Sequence, residues 1–175
     1  MPHHSLYRFT DFTAINALVG TFFAPDQRIT AQIDRLTADY SLGPSQLIAV
    51  CYRGTDKSTE VRQNPLTRYL NVTRNLTRKY PAHRILLQTD DSRARELFAK
   101  EFGQRLTWFA ELPTTAAATV MHKLVAVTQR EDFAANLLAA TIILSRAAYV
   151  VTYTGNLGYW IALYRGHTKG LIQLR

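Results

Sequence analysis

Cysteine is nearly absent from this chain: Cys51 is the only one in 175 residues, so no internal disulfide can form. A single thiol fits a reducing cytoplasm, which is the expected location. Long hydrophobic runs are missing too. No apolar stretch approaches the about 20 residues that cross a bilayer, and the start M-P-H-H-S-L-Y-R-F-T lacks the apolar core of a secretory signal. A soluble chain with no membrane span is the expectation. The five histidines (His3, His4, His83, His122, His167) are scattered and, with one cysteine, give no zinc-ligand spacing, so no metal is expected. Acid is scarce as well, with 13 Asp and Glu against 21 Lys and Arg.

What is present is enough for one globular domain. A 47% hydrophobic composition with 11% aromatics excludes a disordered chain and supports a real core. The formal charge of +8 is uneven, because residues 53–84 hold eight Lys and Arg against only Asp56 and Glu60, a local excess of +6. Such a field draws phosphate-bearing ligands of any kind, from a nucleotide to a nucleic-acid backbone. Charge by itself does not choose between them. A nucleic-acid role for the basic segment 65–80 is the weakest reading, since no recognisable module or cluster of stacking aromatics accompanies it.

The segment Leu47–Tyr52, L-I-A-V-C-Y, is an unbroken apolar run of the kind that strands buried on both faces of a parallel sheet show. It gives way at once to Arg53, Gly54, Thr55, Asp56, Lys57 and, a little further on, Glu60. The pattern around it predicts alternating strands and helices. Phe9, Phe12, Ile15, Leu18 and Val19 recur at helical spacing. Asp26–Tyr40, after Pro25, carries an Ile29, Ile33 and Leu36 stripe and stops before Leu42-Gly43-Pro44. Pro65–Tyr80 is an amphipathic helix with a basic outer face; Arg84–Gln88 is a second strand, followed by Thr89-Asp90-Asp91. A third helix packs Leu97, Phe98 and Phe102 inward, and Leu106–Phe109 is a short third strand. Residues 113–129 read as a loop leading into a helix. Glu131–Ser145 is a buried helix and Tyr149–Tyr153 a fourth strand; Gly155-Asn156 turns into a helix, and Leu171–Leu174 closes the sheet. This order predicts an α/β, doubly wound, Rossmann-like parallel sheet. Residues 1–22 form an N-terminal helical segment and 23–175 the domain.

Ligands of open α/β sheets sit outside the carboxyl ends of the strands, where these charged clusters fall. Arg53 at a strand end can grip a pyrophosphate with two hydrogen bonds and stabilise a nucleotide leaving group. Lys57 adds a second charge and Asp56 can orient either cation; the bland alternative is a solvated ion cluster. Glu60 is the nearby candidate for deprotonating an acceptor hydroxyl. Asp91 suits helix capping, while Asp90 can reach the site from the strand end. Thr154-Gly155-Asn156 opens a helix whose amides offer an anion seat, or is a plain strand-to-helix turn. Tyr52 either packs in the sheet or lies under a base. Tyr159 and Trp160 read as core in preference to a sugar platform.

Four blocks, in order, resemble a known family. Ile48-Ala-Val-Cys-Tyr-Arg-Gly-Thr-Asp-Lys57 is similar to the H-x-R-x-T-D-K signature of the α1,6-fucosyltransferase and protein O-fucosyltransferase superfamily. Residues 29–42 resemble the helix before that signature, Ile85-Leu-Leu-Gln-Thr-Asp-Asp91 its strand ending in T-D-D, and residues 144–156 its L-S-x-A-x-x-x-V-x-x-x-S-N/S segment. The resemblance covers roughly 22–175. It implies the donor-binding, Rossmann-like half of a GT-B glycosyltransferase, with GDP-fucose or a related nucleotide sugar as donor, no cofactor, and a glycan or other hydroxyl acceptor. Arg53 matches the arginine that holds the diphosphate. The family's catalytic glutamate falls nearest Glu60, which here follows Lys57 by three residues and not four. Cys51 stands where the signature has histidine, and Ala140 where the last long helix has an aspartate that reads guanine. Both departures touch base recognition more than phosphate recognition. A GT-B enzyme needs a second domain for its acceptor, so a further domain or chain would supply that side. The alternative is a non-catalytic nucleotide-binding or interaction module.

Overall fold

A computed structural model describes residues 10–55, 64–116 and 125–174. Its centre is a five-stranded sheet, all parallel, in the order β3-β2-β1-β4-β5. The strands are β1 (Leu47–Tyr52), β2 (Arg84–Thr89), β3 (Leu106–Thr107), β4 (Tyr149–Tyr153) and β5 (Leu171–Leu174). The helices are α1 (Phe12–Phe22), α2 (Gln27–Asp39), α3 (Leu66–Lys79), α4 (Ser92–Phe102), α5 (Arg130–Arg146) and α6 (Asn156–Arg165). The chain starts in the middle of the sheet, winds outward through β2 and β3, then returns to β1's other side with β4. The strand order therefore reverses between β1 and β4.

Two apolar cores, one on each face, explain why β1 is apolar at every position. Leu47, Ala49 and Cys51 face a layer containing Ile33 and Leu36 of α2, Ile143 and Leu144 of α5, and Ile161 of α6. Ile48, Val50 and Tyr52 face Tyr69 of α3 and Ala94 and Phe98 of α4. Six consecutive buried residues follow directly from having helices on both sides. Helix α1 lies outside this sandwich against α6, where the Asn16 side-chain amide donates to the carbonyls of Leu163 and Tyr164 at 2.9 and 3.1 Å.

Aspartates start three of the helices. Asp11, Asp26 and Asp91 accept from backbone amides in the first turns of α1, α2 and α4. Elsewhere arginines close the loops. Arg105 donates to the carbonyls of Thr77, Tyr80 and His83, Arg84 to those of Tyr40 and Ser41, and Arg165 to those of Ser145 and Ala148. Part of the positive charge is thus structural, including Arg84 of the basic stretch.

Several boundaries differ from expectation. Leu97 is 47% exposed, because helical spacing places Ala94 and Phe98 on the inner face and turns Leu97 about 100° away. Leu18 is likewise exposed on α1 while Phe12 and Val19 are buried. Strand β3 pairs over only two residues, although Phe109 beyond it is buried. Part of the loop expected over 113–129 lies outside the described residues. Among the described residues no helix is long and apolar enough to cross a membrane.

Candidate functional site

The parallel register brings two chain segments together at the carboxyl edge of the sheet. Tyr52 pairs with Thr89 at the ends of β1 and β2, so the next residues, Arg53 and Asp90, leave the sheet side by side. Asp90 is only 6% exposed, yet it carries a carboxylate. Three donors from the segment after β1 converge on it: Arg53 Nε and Thr55 Oγ1 reach Oδ2, and the Gly54 amide reaches Oδ1, each at 2.8 Å. Burying a carboxylate is costly unless it is paired and hydrogen-bonded, and this one meets both conditions. The buried carboxylate therefore fixes the path of residues 53–55. The Arg53 side chain stays 26% exposed, held by its Nε at the strand end.

Asp91 does different work. Its Oδ1 accepts from the Arg93 amide at 2.9 Å, capping α4, and both carboxylate oxygens take the Arg93 guanidinium at 3.1 and 3.2 Å. The isolated bridge from Asp91 to Thr115 ties the same point to the loop after β3. Between the two aspartates passes Gly54. A side-chain carbon there would lie 2.6 Å from Asp91 Oδ2 and 2.6 Å from the Tyr52 ring, so only glycine fits so close an approach.

The neighbouring strand end on the other side of β1 is that of β4. Gly155 caps α6 with no side-chain hydrogen bond. Close packing demands glycine nearby as well, because a carbon on Gly158 would sit 2.2 Å from the Tyr153 carbonyl oxygen. The first turn of α6 thus lies directly on the end of β4, with Thr154 and Asn156 exposed. Backbone amides at a helix start attract anions. Because β1 and β4 pair in parallel, Arg53 and Thr154–Asn156 follow neighbouring strand ends at the point where strand order reverses.

The remaining expected residues are placed as follows. Cys51 is fully buried in the α2/α5 core, and burial pushes its thiol from an ordinary value of 9.0 up to about 12, against the lowering effect of Arg53. Its side chain belongs to the core and offers no surface to a ligand. Tyr52 packs edge-on against Tyr69 at 5.0 Å, and its hydroxyl is pushed up by burial and by the charges of Asp91 and Asp90. Ala140 is fully buried among core residues. Asp56, Lys57 and Glu60 lie outside the described residues. Thr55, part of the signature block, had no role of its own until its hydroxyl was found on Asp90, and Arg93 was not expected. Trp160, read as core, instead lines an apolar cavity of about 460 Å3 with Phe23, Leu137, Leu138, Leu157 and Tyr164, beside the start of α6. Among the described residues no cluster of three His, Cys, Asp or Glu is arranged to hold a metal ion.

An open, wholly parallel sheet with helices on both faces, whose strand order reverses between β1 and β4, defines a Rossmann-like α/β domain, of the kind found as one half of a GT-B architecture. No protein-family profile matches the sequence, and no curated protein matches it. Solved structures do. The chain is similar to NodZ α1,6-fucosyltransferase co-crystallised with GDP, at 17% identity and a TM-score of 0.54, over 78% of this chain and 40% of that one. It is also similar to the same enzyme soaked with GDP-fucose, at 18% identity and a TM-score of 0.51, over 79% and 42%. The fold is fucosyltransferase-like. This chain spans about two fifths of the length of the enzymes it matches, as the 40% and 42% coverage gives.

Proposed function

We propose that this domain binds a nucleotide sugar of the GDP-fucose kind through its diphosphate, as the donor side of a fucosyltransferase-like enzyme. The observation that carries the reading is Arg53, set at the end of β1 by a buried carboxylate, next to the end of β4 from which α6 starts. A guanidinium oriented in advance gains strength as charge develops on a departing diphosphate, and the oriented amides of α6 add to it. The reaction is an inverting, metal-independent transfer to a hydroxyl. Arg53 and Lys57 take the charge of the leaving group, Glu60 serves as base, and a further domain or chain supplies the acceptor side. The likeness to two fucosyltransferase structures, one with GDP and one with GDP-fucose, supports this donor class.

Two observations favour a second reading, a nucleotide-binding module without transferase activity. Cys51 stands in place of the signature histidine and is wholly buried, and Ala140 stands in the core where the family has an aspartate. Neither loss touches the diphosphate grip. A thermal-shift screen with GDP, UDP, ADP and their sugars tests both readings at their shared step, because a ligand that binds only the folded state raises the melting midpoint. A rise with GDP and GDP-fucose is expected; no rise with any of these nucleotides contradicts both. Release of fucose from GDP-fucose, or its transfer, by the purified chain then excludes the second reading.

A further inference from the structure

Helix α1 keeps an apolar face in solvent. Of the five large apolar side chains that the described residues leave exposed, three fall within six residues at its C-terminal end: Leu18 at 56%, Phe22 at 72% and Phe23 at 54%. Ala14, Leu18 and Phe22 are spaced four apart, so they stand in one row on the outer side of the helix, with Ala17 and Thr21 exposed beside them. The inner side is apolar as well, since Phe12 and Val19 are buried. A helix with apolar side chains on opposite sides is one that is covered on both. The Phe23 ring packs edge-on against Trp160 at 5.1 Å, which accounts for that residue. Phe22, at 72% exposed, gains little from the fold of the single chain.

The same surface holds a cavity that suits such a ring. Phe23 and Trp160 line the space of about 460 Å3 where the end of α1 meets α5 and α6. Its two hydroxyls are already used: Thr141 donates to the Leu137 carbonyl at 2.7 Å and Tyr164 to that of Phe23 at 3.1 Å. What remains is an apolar hole with room for an aromatic side chain. Phe22 stands one residue before a wall of that hole, so one patch carries both a projecting ring and an apolar receptor. Such a patch is self-complementary, because across a two-fold axis the ring of each copy meets the hole of the other. Charge points to the same occupant. Residues 12–25 contain no charged side chain in a chain of formal charge +8, so two like-charged copies can meet there without opposing cations. The charged residues that bound the stretch are Asp11 and Asp26, which disfavour a nucleic acid or an anionic bilayer.

We propose that the outer face of α1 is the docking surface for a second copy of this chain, paired about a two-fold axis with Phe22 of each copy seated in the Trp160 cavity of the other. The pairing is independent of what the Arg53 crevice binds. The test is sedimentation of the 175-residue chain over about 1–100 µM, the range of weak, non-obligate association. The proteins are the wild type, L18E, F22E and, as a control, L97E, whose exposed leucine lies on α4. The wild-type mass is expected to rise with concentration from 19.9 kDa towards twice that. L18E and F22E should each weaken association at least about tenfold, since each would bury a charge, while L97E associates as the wild type does. Because residues 18 and 22 are exposed, the melting midpoints of their variants at the lowest concentration should stay within about 2 °C of the wild type. In W108F, where Trp160 is the sole tryptophan, its emission should shift to the red as the dimer is diluted apart. A wild type that keeps the mass of one chain over the whole range overturns the proposal, as does association that persists in F22E. Equal loss in L97E overturns it by showing a general effect of added charge. A dimer whose Trp160 emission does not change on dilution has its interface elsewhere, and that too overturns it.

Discussion

Removing the Asp90 carboxylate is the most direct perturbation of the cluster at the ends of β1 and β2. Asp90→Ala takes away the acceptor of three 2.8 Å hydrogen bonds at a site only 6% exposed. It leaves the Arg53 charge without its buried counter-ion and the Gly54 amide without its acceptor. Breaking a buried charge pair from one side costs about 3–5 kcal/mol, and the three bonds are not additive beyond that because they share one acceptor. Against a total stability of about 5–15 kcal/mol this is a large fraction. For a domain of this size each kcal/mol moves the melting midpoint by about 2–4 °C, so a fall of roughly 6–20 °C is expected. Asp91→Ala is the control, since it removes a cap and the buried half of an ion pair whose arginine is 63% exposed and is left in solvent, worth about 0.5–2 kcal/mol in all. Asp90→Asn should fall between them, because an amide can still accept from Gly54 but turns a donor towards Arg53. Thermal and urea unfolding of the three variants measure the order. If Asp91→Ala costs as much as Asp90→Ala, or Asp90→Ala leaves the midpoint unchanged, Asp90 is not the hub described.

Other outcomes follow from single residues. The Cys51 thiol, raised to about 12 by burial, should resist alkylating and disulfide reagents at pH 8 in the folded protein and react only as the chain unfolds; rapid native labelling would contradict its burial. The sign for stability is also fixed. The unfolded thiol ionises near 9.0 and the folded one near 12, so this group lowers stability as pH rises between those values. Cys51→Ala should flatten that part of a pH–stability curve. Gly158→Ala should cost about 1–3 kcal/mol, because the new carbon meets the Tyr153 carbonyl oxygen at 2.2 Å. Gly20→Ala, in α1 with nothing within 4 Å, should instead stabilise by about 0.5–1 kcal/mol; urea midpoints moving in the same direction for both would refute the packing account.

Much of the fold was legible because each β-strand in a doubly wound sheet leaves a strong local mark. Leu47–Tyr52 is apolar at every position since both of its faces are covered, and no half-exposed strand would be. Asp91 was legible as a cap from its place between strand and helix. Asp90 was legible as a residue at the site's edge but not as its organiser, because its three donors lie 35 to 37 residues upstream and only the pairing of β1 with β2 brings them near. Face assignment within helices was weaker. Leu97 and Phe98 are adjacent and equally apolar, and composition cannot say which one turns inward; the spacing from Ala94 decides it. Trp160 shows the same limit, since an aromatic in a helix that packs on the core can equally line a cavity at its margin. The basic excess also overstated the field available to a ligand, because Arg84 closes a loop and Arg74 pairs with Glu101 at 2.7 Å.

The most direct test of the central claim is the affinity of the wild type and Arg53→Ala for GDP, measured by calorimetry on the purified chain. With Arg53 as the main diphosphate contact, the substitution should weaken binding at least about tenfold, equivalent to some 1.4 kcal/mol or more. Asp90 remains in R53A to hold Gly54 and Thr55 but loses its counter-ion, so circular dichroism should show the same fold with a lowered melting midpoint, and the titration is run well below that midpoint. Equal GDP affinity in the two proteins would contradict the assignment of the crevice.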